Sequence, residues 1–584
     1  VPTAAPDRST NATAGGPPRR LAIDPYAALL SVILAAFTVL GASYHATDSA
    51  AWFASSPGAV LAAVLCVFAV AALLYLVIAP VCARLGRRDA EPAPGVLSMA
   101  AALRRWLLPT TAVLLLGWLP WLVIHYPGGL DGDTVTQLFQ WRGLLERTNH
   151  HPWFDTMVFG LFWDAGSALG DLRLGLFAYL LLQELATAAG LALAIAYLGR
   201  LGMPRAARRA LTVAVAVVPV FPLAASVMSK DALAAVFWMP FLVLFVEAVR
   251  TRALVLRRPW AAAGLLTLAA LLILTKRTNL YLVLACALVL LVLAAARARL
   301  PLAAGAALVV VLTGVVWPAA VLQPLGVKPG TGVDILTIPV QQTARTVLAH
   351  GDELAPEERD AIDAVLRYDG LAEAYDPRRS DRVKGRWNLE ATREQKLAYA
   401  RTWLAHLVRY PGTYLSATAA NTYEYFAPLT PLSFQQELNL AVYVDYWLDR
   451  SVPGTTRAEV EAVALALDEP AALDDVRAAA NEIQSALGEH AFVAAKALYS
   501  SWIPLLALAI ALRRRDALLA VATIPLFVNL AFLVASPVAL PRYTIPLIYG
   551  AVLVVGLMLT PVRRLRAVPR RRRRDAPASQ ASAL

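Results

Sequence analysis

WLLPTTAVLLLGWLPWLVI, residues 106–124, runs for nineteen residues without a charge. An apolar helix of about 20 residues is what a bilayer core of about 30 Å demands. The chain then reads HYPGGLDGDTVTQL (125–138), placing Asp131 and Asp133 one residue apart in a glycine-rich turn. A segment made for lipid is followed at once by a pair of acids.

Composition extends the first half of that observation to the whole chain. Of 584 residues, 58% are hydrophobic and 16% charged, and the mean hydropathy is +0.57. A soluble chain of this length needs far more polar surface, so that class is excluded. Cys66, Cys82 and Cys286 all fall in or beside apolar runs, which leaves no disulfide framework or cysteine metal site in the polar segments. Arginine outnumbers lysine 47 to 6, a bias of GC-rich bacterial genomes and no guide to function.

Twelve apolar runs are expected to span: 25–43, 57–80, 106–124, 174–198, 210–226, 233–249, 260–275, 280–295, 301–321, 498–512, 517–536 and 542–561. The first could pass for a signal peptide ending in GASYHA, but the charge pattern favours an uncleaved span. With the N-terminus inside, the inner connections and tails hold 29 basic residues and the short outer connections seven. This is the positive-inside asymmetry, and it puts both termini in the cytoplasm. Basic loops beside an anionic leaflet also account for the pI of about 9.7, without nucleic acid.

The expected fold is therefore an all-α polytopic membrane protein of about twelve spans. Residues 1–20 read as a disordered cytoplasmic tail and 563–584 as a basic tail whose Arg570–Arg574 run meets lipid headgroups. Residues 21–321 form a transmembrane module with an external loop at 125–173, and 498–562 hold the last three spans. Between them, 322–497 carry 25 acidic and 17 basic residues and read as an external, mainly helical domain. Helices are expected at 357–368, 394–411, 455–467 and 473–501, and a further one from Thr134 to Arg147. Trp403, Leu404, Leu407, Val408 and Tyr410 form an apolar stripe, suited to packing on the membrane domain or to a lipid-linked ligand.

The polar residues that composition does not demand all map to one face. Asp131 and Asp133 lie in the 125–173 loop with Asn149, His150, His151 and Asp155 of TNHHPWFDT. SKD (229–231) brings Lys230, KRTN (276–279) brings Lys276, Arg277 and Asn279, and LPRYTIP (540–546) brings Arg542 and Tyr543. Each has an ordinary explanation: Asp at a helix start caps it, His-His-Pro is loop, and Lys at a span end snorkels. Trp141, Trp153 and Trp163 fit a membrane interface as well as a sugar face. Charges at span ends are nevertheless costly unless used, and here they converge on one side.

Their chemistry divides naturally. A carboxylate can act as general base on a hydroxyl, while Arg and Lys hold a phosphate leaving group. Outside a bacterial membrane there is no nucleotide sugar, so a donor must arrive pre-activated, as a lipid-phosphate sugar does. Whether a divalent metal bridges Asp131 and Asp133 to the phosphate stays open; no other cofactor is called for.

HYPGGLDGDTVTQ, NHHPWFDT, SKDALAAVFWMPF, TKRTNLYL, the late external domain and the terminal RYTIP together resemble GT-C-type integral-membrane glycosyltransferases, in a poorly characterised bacterial branch. The resemblance implies a polyprenyl-phosphate-sugar donor, a glycan or other cell-envelope acceptor, and a catalytic acid in the first large external loop. Asp133 then takes the place of that acid, Asp131 accompanies it, and Lys230, Lys276, Arg277 and Arg542 become phosphate contacts. It implies a multi-pass protein of the bacterial plasma membrane with an outward-facing site. The sequence departs from the family in placing this loop after the third span, where the usual position is after the first. Two alternatives stand beside it: a transporter or flippase, which shares the twelve-span count, and a lipid-linked polymer ligase or polymerase. No two-fold repeat of loop motifs supports the transporter.

Overall fold

The computed structural model describes residues 23–86, 98–434, 444–466 and 471–561. Both expected tails, with the Arg570–Arg574 run, lie outside the described residues.

The runs expected to span are wholly or largely helical. Eight helices are long and apolar enough to cross a membrane: Pro25–Thr47, Pro57–Leu85, Met99–Ile124, Leu172–Leu201, Lys230–Arg250, Ala296–Leu322, Ala517–Val534 and Pro541–Met558. The chain is an α-helical membrane protein. Four of the twelve runs fall short of that length. Pro259–Thr275 and Asn279–Leu293 are apolar but brief. The 210–226 run is split into Arg205–Val217 and Val220–Ala225 by Val218-Pro219, because the proline ring removes an amide donor and disfavours helix in the residue before it. The 498–512 run is the wider turn Leu498–Trp502 continued by Ile503–Arg514.

The helices Leu172–Leu201, Lys230–Arg250 and Ile545–Met558 form the centre, with Tyr197, Trp238, Phe245, Leu198, Ile548 and Tyr549 buried among them. Trp238 donates its indole N–H to the Pro546 carbonyl at 2.7 Å, satisfying a group that would be costly unpaired in an apolar interior. At the periphery, leucines of Pro57–Leu85 such as Leu73 and Leu76 are exposed, as a lipid-facing helix requires.

The segment after residue 322 is helical, as expected. Thr337–His350, Pro356–Leu366 and Arg393–Arg409 enclose a small core of Val340, Ala344, Ile362, Leu366 and Tyr399. It is fastened to the membrane helices by Tyr44 Oη on Ser416 Oγ (3.2 Å), Arg378 on Asp48 (2.7 Å) and Ser380 N on the Pro537 carbonyl (2.9 Å). Three expectations need correction here. The helix begun at Thr134 stops at Trp141, because Gly143 turns to φ +76° and ends it. The 473–501 helix is interrupted after His490, where Ala491 is extended. Finally, Val408 and Leu404 are 83% and 53% exposed, so the apolar stripe does not pack on the membrane helices.

Candidate active site

The site begins where Met99–Ile124 ends. Gly128 takes φ +117°, and a Cβ there would meet Leu180 Cδ1 at 1.7 Å, so only glycine lets the chain pass. Strand β1, Gly129–Leu130, then pairs in parallel with β2, Val227–Met228. The non-helical backbone at β2 lies among buried helices, and its polar groups are all the more in need of partners. Gln183 Nε2 donates to the carbonyls of Ala225 (2.6 Å) and Val227 (3.1 Å), Gly129 N donates to Ser226 O (3.1 Å), and Ser226 Oγ donates to Glu184 (2.9 Å). Thr134 Oγ1 closes the arrangement on the Met228 carbonyl at 2.7 Å.

These strands fix two helix starts side by side. Asp131 is the N-cap of Gly132–Trp141 and accepts a hydrogen bond from Asp133 N at 3.1 Å. Ser229 caps Lys230–Arg250, accepting from Ala232 N at 3.2 Å. Asp133, Lys230 and Asp231 are therefore first-turn residues whose side chains are not needed as caps.

Asp133 Oδ2 receives Lys230 Nζ at 2.7 Å and an Arg542 guanidinium N–H at 2.9 Å. The same guanidinium pairs with Asp131 and lies 3.7 Å from Asp231 Oδ2. Lys276 Nζ donates to Asp231 Oδ1 at 2.5 Å. The Tyr543 ring stands 5.2 Å from Lys276 Nζ and 5.3 Å from the Arg542 guanidinium carbon, within cation–π range. Three carboxylates thus face three cations. Asp231 is fully buried, and the others are largely shielded. Burial works against ionising Asp133, but the Lys230 charge and hydrogen bond outweigh it and hold its pKa at about 2.

His151 Nδ1 lies 3.2 Å from Lys230 Nζ. An ammonium can only donate, so Nδ1 accepts and the proton resides on Nε2. Burial, then the Lys230 charge, pushes the His151 pKa down to about 3, which keeps the ring neutral. His150 packs edge-to-face on it with centroids 4.7 Å apart.

Of the residues singled out from sequence, Asp131, Asp133, His151, Lys230, Lys276, Arg542 and Tyr543 meet in this cluster, and His150 flanks it. Arg277 is exposed and forms no ion pair among the described residues. Asn279 is committed to its own turn, its amide donating to the Leu272 carbonyl at 2.9 Å. Trp153 and Trp163 are buried packing residues, and the Trp141 ring packs on Gly160 and hydrogen-bonds to Asp164. Arg542 engages both Asp131 and Asp133, the pair expected to bridge a divalent metal if one is used. Among the described residues no group of three or more His, Cys, Asp or Glu could hold one.

Two contributors to the site come from the later domain and carry no local sequence signal. Gly330 sits so close to His150 that a Cβ would lie 2.9 Å from its Cα, and Asn149 N donates to Lys328 O at 2.7 Å. This contact brings in Asp334, held by Lys384 at 2.6 Å, whose charge is felt by His150 and Lys230. Nothing local distinguishes Asp334 among the many acids of that domain. Asp155, of the NHHPWFDT stretch, forms no hydrogen bond with the cluster's cations. It is fully buried with neither carboxyl oxygen hydrogen-bonded among the described residues, and burial raises its pKa well above the usual range.

Residues 145–576 match a family model described as a family of unknown function, DUF6020. The match covers most of the chain, which belongs to that family. It begins after Asp133, and so contains Lys230, Asp231, Lys276 and Arg542 but not Asp131 and Asp133. No curated protein and no solved structure matches the chain significantly.

Proposed function

For this member of DUF6020, we propose a membrane glycosyltransferase of GT-C type, moving a sugar from a polyprenyl-phosphate donor to a cell-envelope acceptor. The observation that carries this reading is Asp133 Oδ2 meeting Lys230 and Arg542, cations from separate helix starts, with Lys276 beside them. Three basic groups from distant parts of the sequence at one end of the helices suit an anionic phosphate, and a carboxylate among them suits proton removal. In the accompanying topology twelve segments cross a bacterial plasma membrane, both termini are inside, and the site faces outward. The positive-inside asymmetry supports that orientation.

The acceptor oxygen attacks the anomeric carbon and gives its proton to Asp133. The bond from that carbon to the phosphate oxygen breaks, and its electron pair leaves with the polyprenyl phosphate, neutralised by Lys230, Lys276 and Arg542. A carboxylate with a pKa of about 2 is a weak base. Donor binding removes this obstacle: a phosphate that engages Lys230 and Arg542 takes them from Asp133 and adds a nearby negative charge, and both changes raise its basicity. The charged groups sit at helix ends and not along a mid-membrane path, which supports the enzyme over the transporter.

Membranes containing the protein, supplied with one radiolabelled polyprenyl-phosphate sugar at a time, should consume one of them. Consumption equal to that of membranes lacking the protein, for every sugar, would refute the assignment.

A further inference from the structure

At the opposite end of the helices lies a cleft of about 290 Å³ between Lys230–Arg250, Pro259–Thr275, Asn279–Leu293 and Ala296–Leu322. We propose that it binds one acyl chain of an anionic glycerophospholipid, whose headgroup phosphate rests on Arg257 and Arg297. This does not rest on the transferase reading.

The walls are apolar, with Leu265, Ala269, Cys286, Leu290 and Val309 among the lining residues, and small side chains such as Ala306 keep the cleft open. Arg257 and Arg297 also line it. One precedes the helix that ends before Lys276, so it lies about 25 Å from the acid–base cluster along that helix. The other opens Ala296–Leu322 at the same end. Both are exposed, and neither forms an ion pair among the described residues, so their charge is free for a ligand. From Arg297 to Val309 the helix rises about 18 Å. Half of a hydrocarbon core is about 15 Å. The cleft therefore matches one acyl chain in one leaflet and is too short for a polyprenyl chain.

The backbone beside it is strained. Arg252 and Ala253, the latter a lining residue, take φ of 51° and 63° in succession, and neither is glycine. The Arg252 carbonyl is held by Ala295 N at 3.1 Å, which ties this loop to the start of the Ala296–Leu322 helix. Left-handed non-glycine residues cost free energy and persist where the surroundings enforce them, commonly at ligand sites.

The test uses the purified full chain, stripped of lipid in detergent and offered equal phosphatidylglycerol and phosphatidylcholine with identical acyl chains. Native mass spectrometry counts what stays bound. A preference for phosphatidylglycerol of about fivefold per arginine is expected. It should fall to parity in Arg257→Ala/Arg297→Ala, whose exposed positions spare the fold. Ala306→Phe, which fills the cleft, should reduce retention of both lipids. Equal retention by the unaltered protein, a preference that survives the double substitution, or a second copy of the chain occupying the cleft would each overturn the proposal.

Discussion

Lys230 Nζ lies 2.7 Å from Asp133 Oδ2, although 97 residues separate them in the chain. The parallel pairing of Gly129–Leu130 with Val227–Met228 makes this contact possible, because each strand runs directly into a capped helix start. The two helices deliver a carboxylate and an ammonium to one point.

Gln183 supports the second of those starts. Gln183→Leu leaves the Ala225 and Val227 carbonyls without their donor, at a cost of about 1–3 kcal/mol for each buried group left unpaired. Thermal unfolding in detergent should begin at a lower temperature, and donor use should weaken with it. An unchanged unfolding temperature would mean that β2 is held by other contacts.

Much of this was legible in the sequence, and the limits have physical causes. Apolar run length marks the helices, and isolated charges at their ends mark SKD, KRTN and RYTIP. Which acid caps and which faces the cations was not legible, since Asp131 and Asp133 differ only in helix position. Neighbours such as Arg277 and Asn279 cannot be separated by type: one is exposed and the other is turned onto Leu272 by the local fold. Asp334 reaches the site through Gly330 packing on His150, a tertiary contact with no local pattern. The broken 210–226 run could have been found, because Val-Pro at 218–219 is a helix-stopping signal.

Lys276 separates binding from stability. Lys276→Ala takes from the fully buried Asp231 its hydrogen-bonded cation, leaving only Arg542 at 3.7 Å, and should cost about 3–5 kcal/mol, besides weakening donor use. Adding Asp231→Asn should recover most of the stability and leave donor use impaired by roughly ten- to a hundredfold, the worth of one charge-assisted phosphate contact. Recovery of both in the double variant would remove Lys276 from the phosphate site. Arg277→Ala, at an exposed position, should change stability little.

Acid stability follows from His151 and Asp133. The folded His151 pKa of about 3 lies below its ordinary 6.5, so the unfolded chain takes up a proton that the folded chain refuses. Stability should therefore fall as pH drops from 6.5 towards 3. Asp133, lowered from 3.8 to about 2, contributes stability present above pH 3.8 and lost as pH falls towards 2. His151→Gln should flatten the unfolding profile in the upper window and spare the lower one. An unaltered slope between pH 6.5 and 4 would contradict the assignment of a neutral, buried ring.

Asp133→Asn tests the central claim most directly. Asp131 provides the N-cap, so the substitution preserves size and helix start while removing the basicity. The assay is sugar transfer from the consumed polyprenyl-phosphate donor by purified protein in vesicles, with donor binding and thermal unfolding measured on the same samples. Transfer should fall by about 10²–10⁴-fold, the usual worth of a general base, with donor binding and folding retained. Full transfer activity in a folded Asp133→Asn protein would show that the acid is structural and that proton removal happens elsewhere.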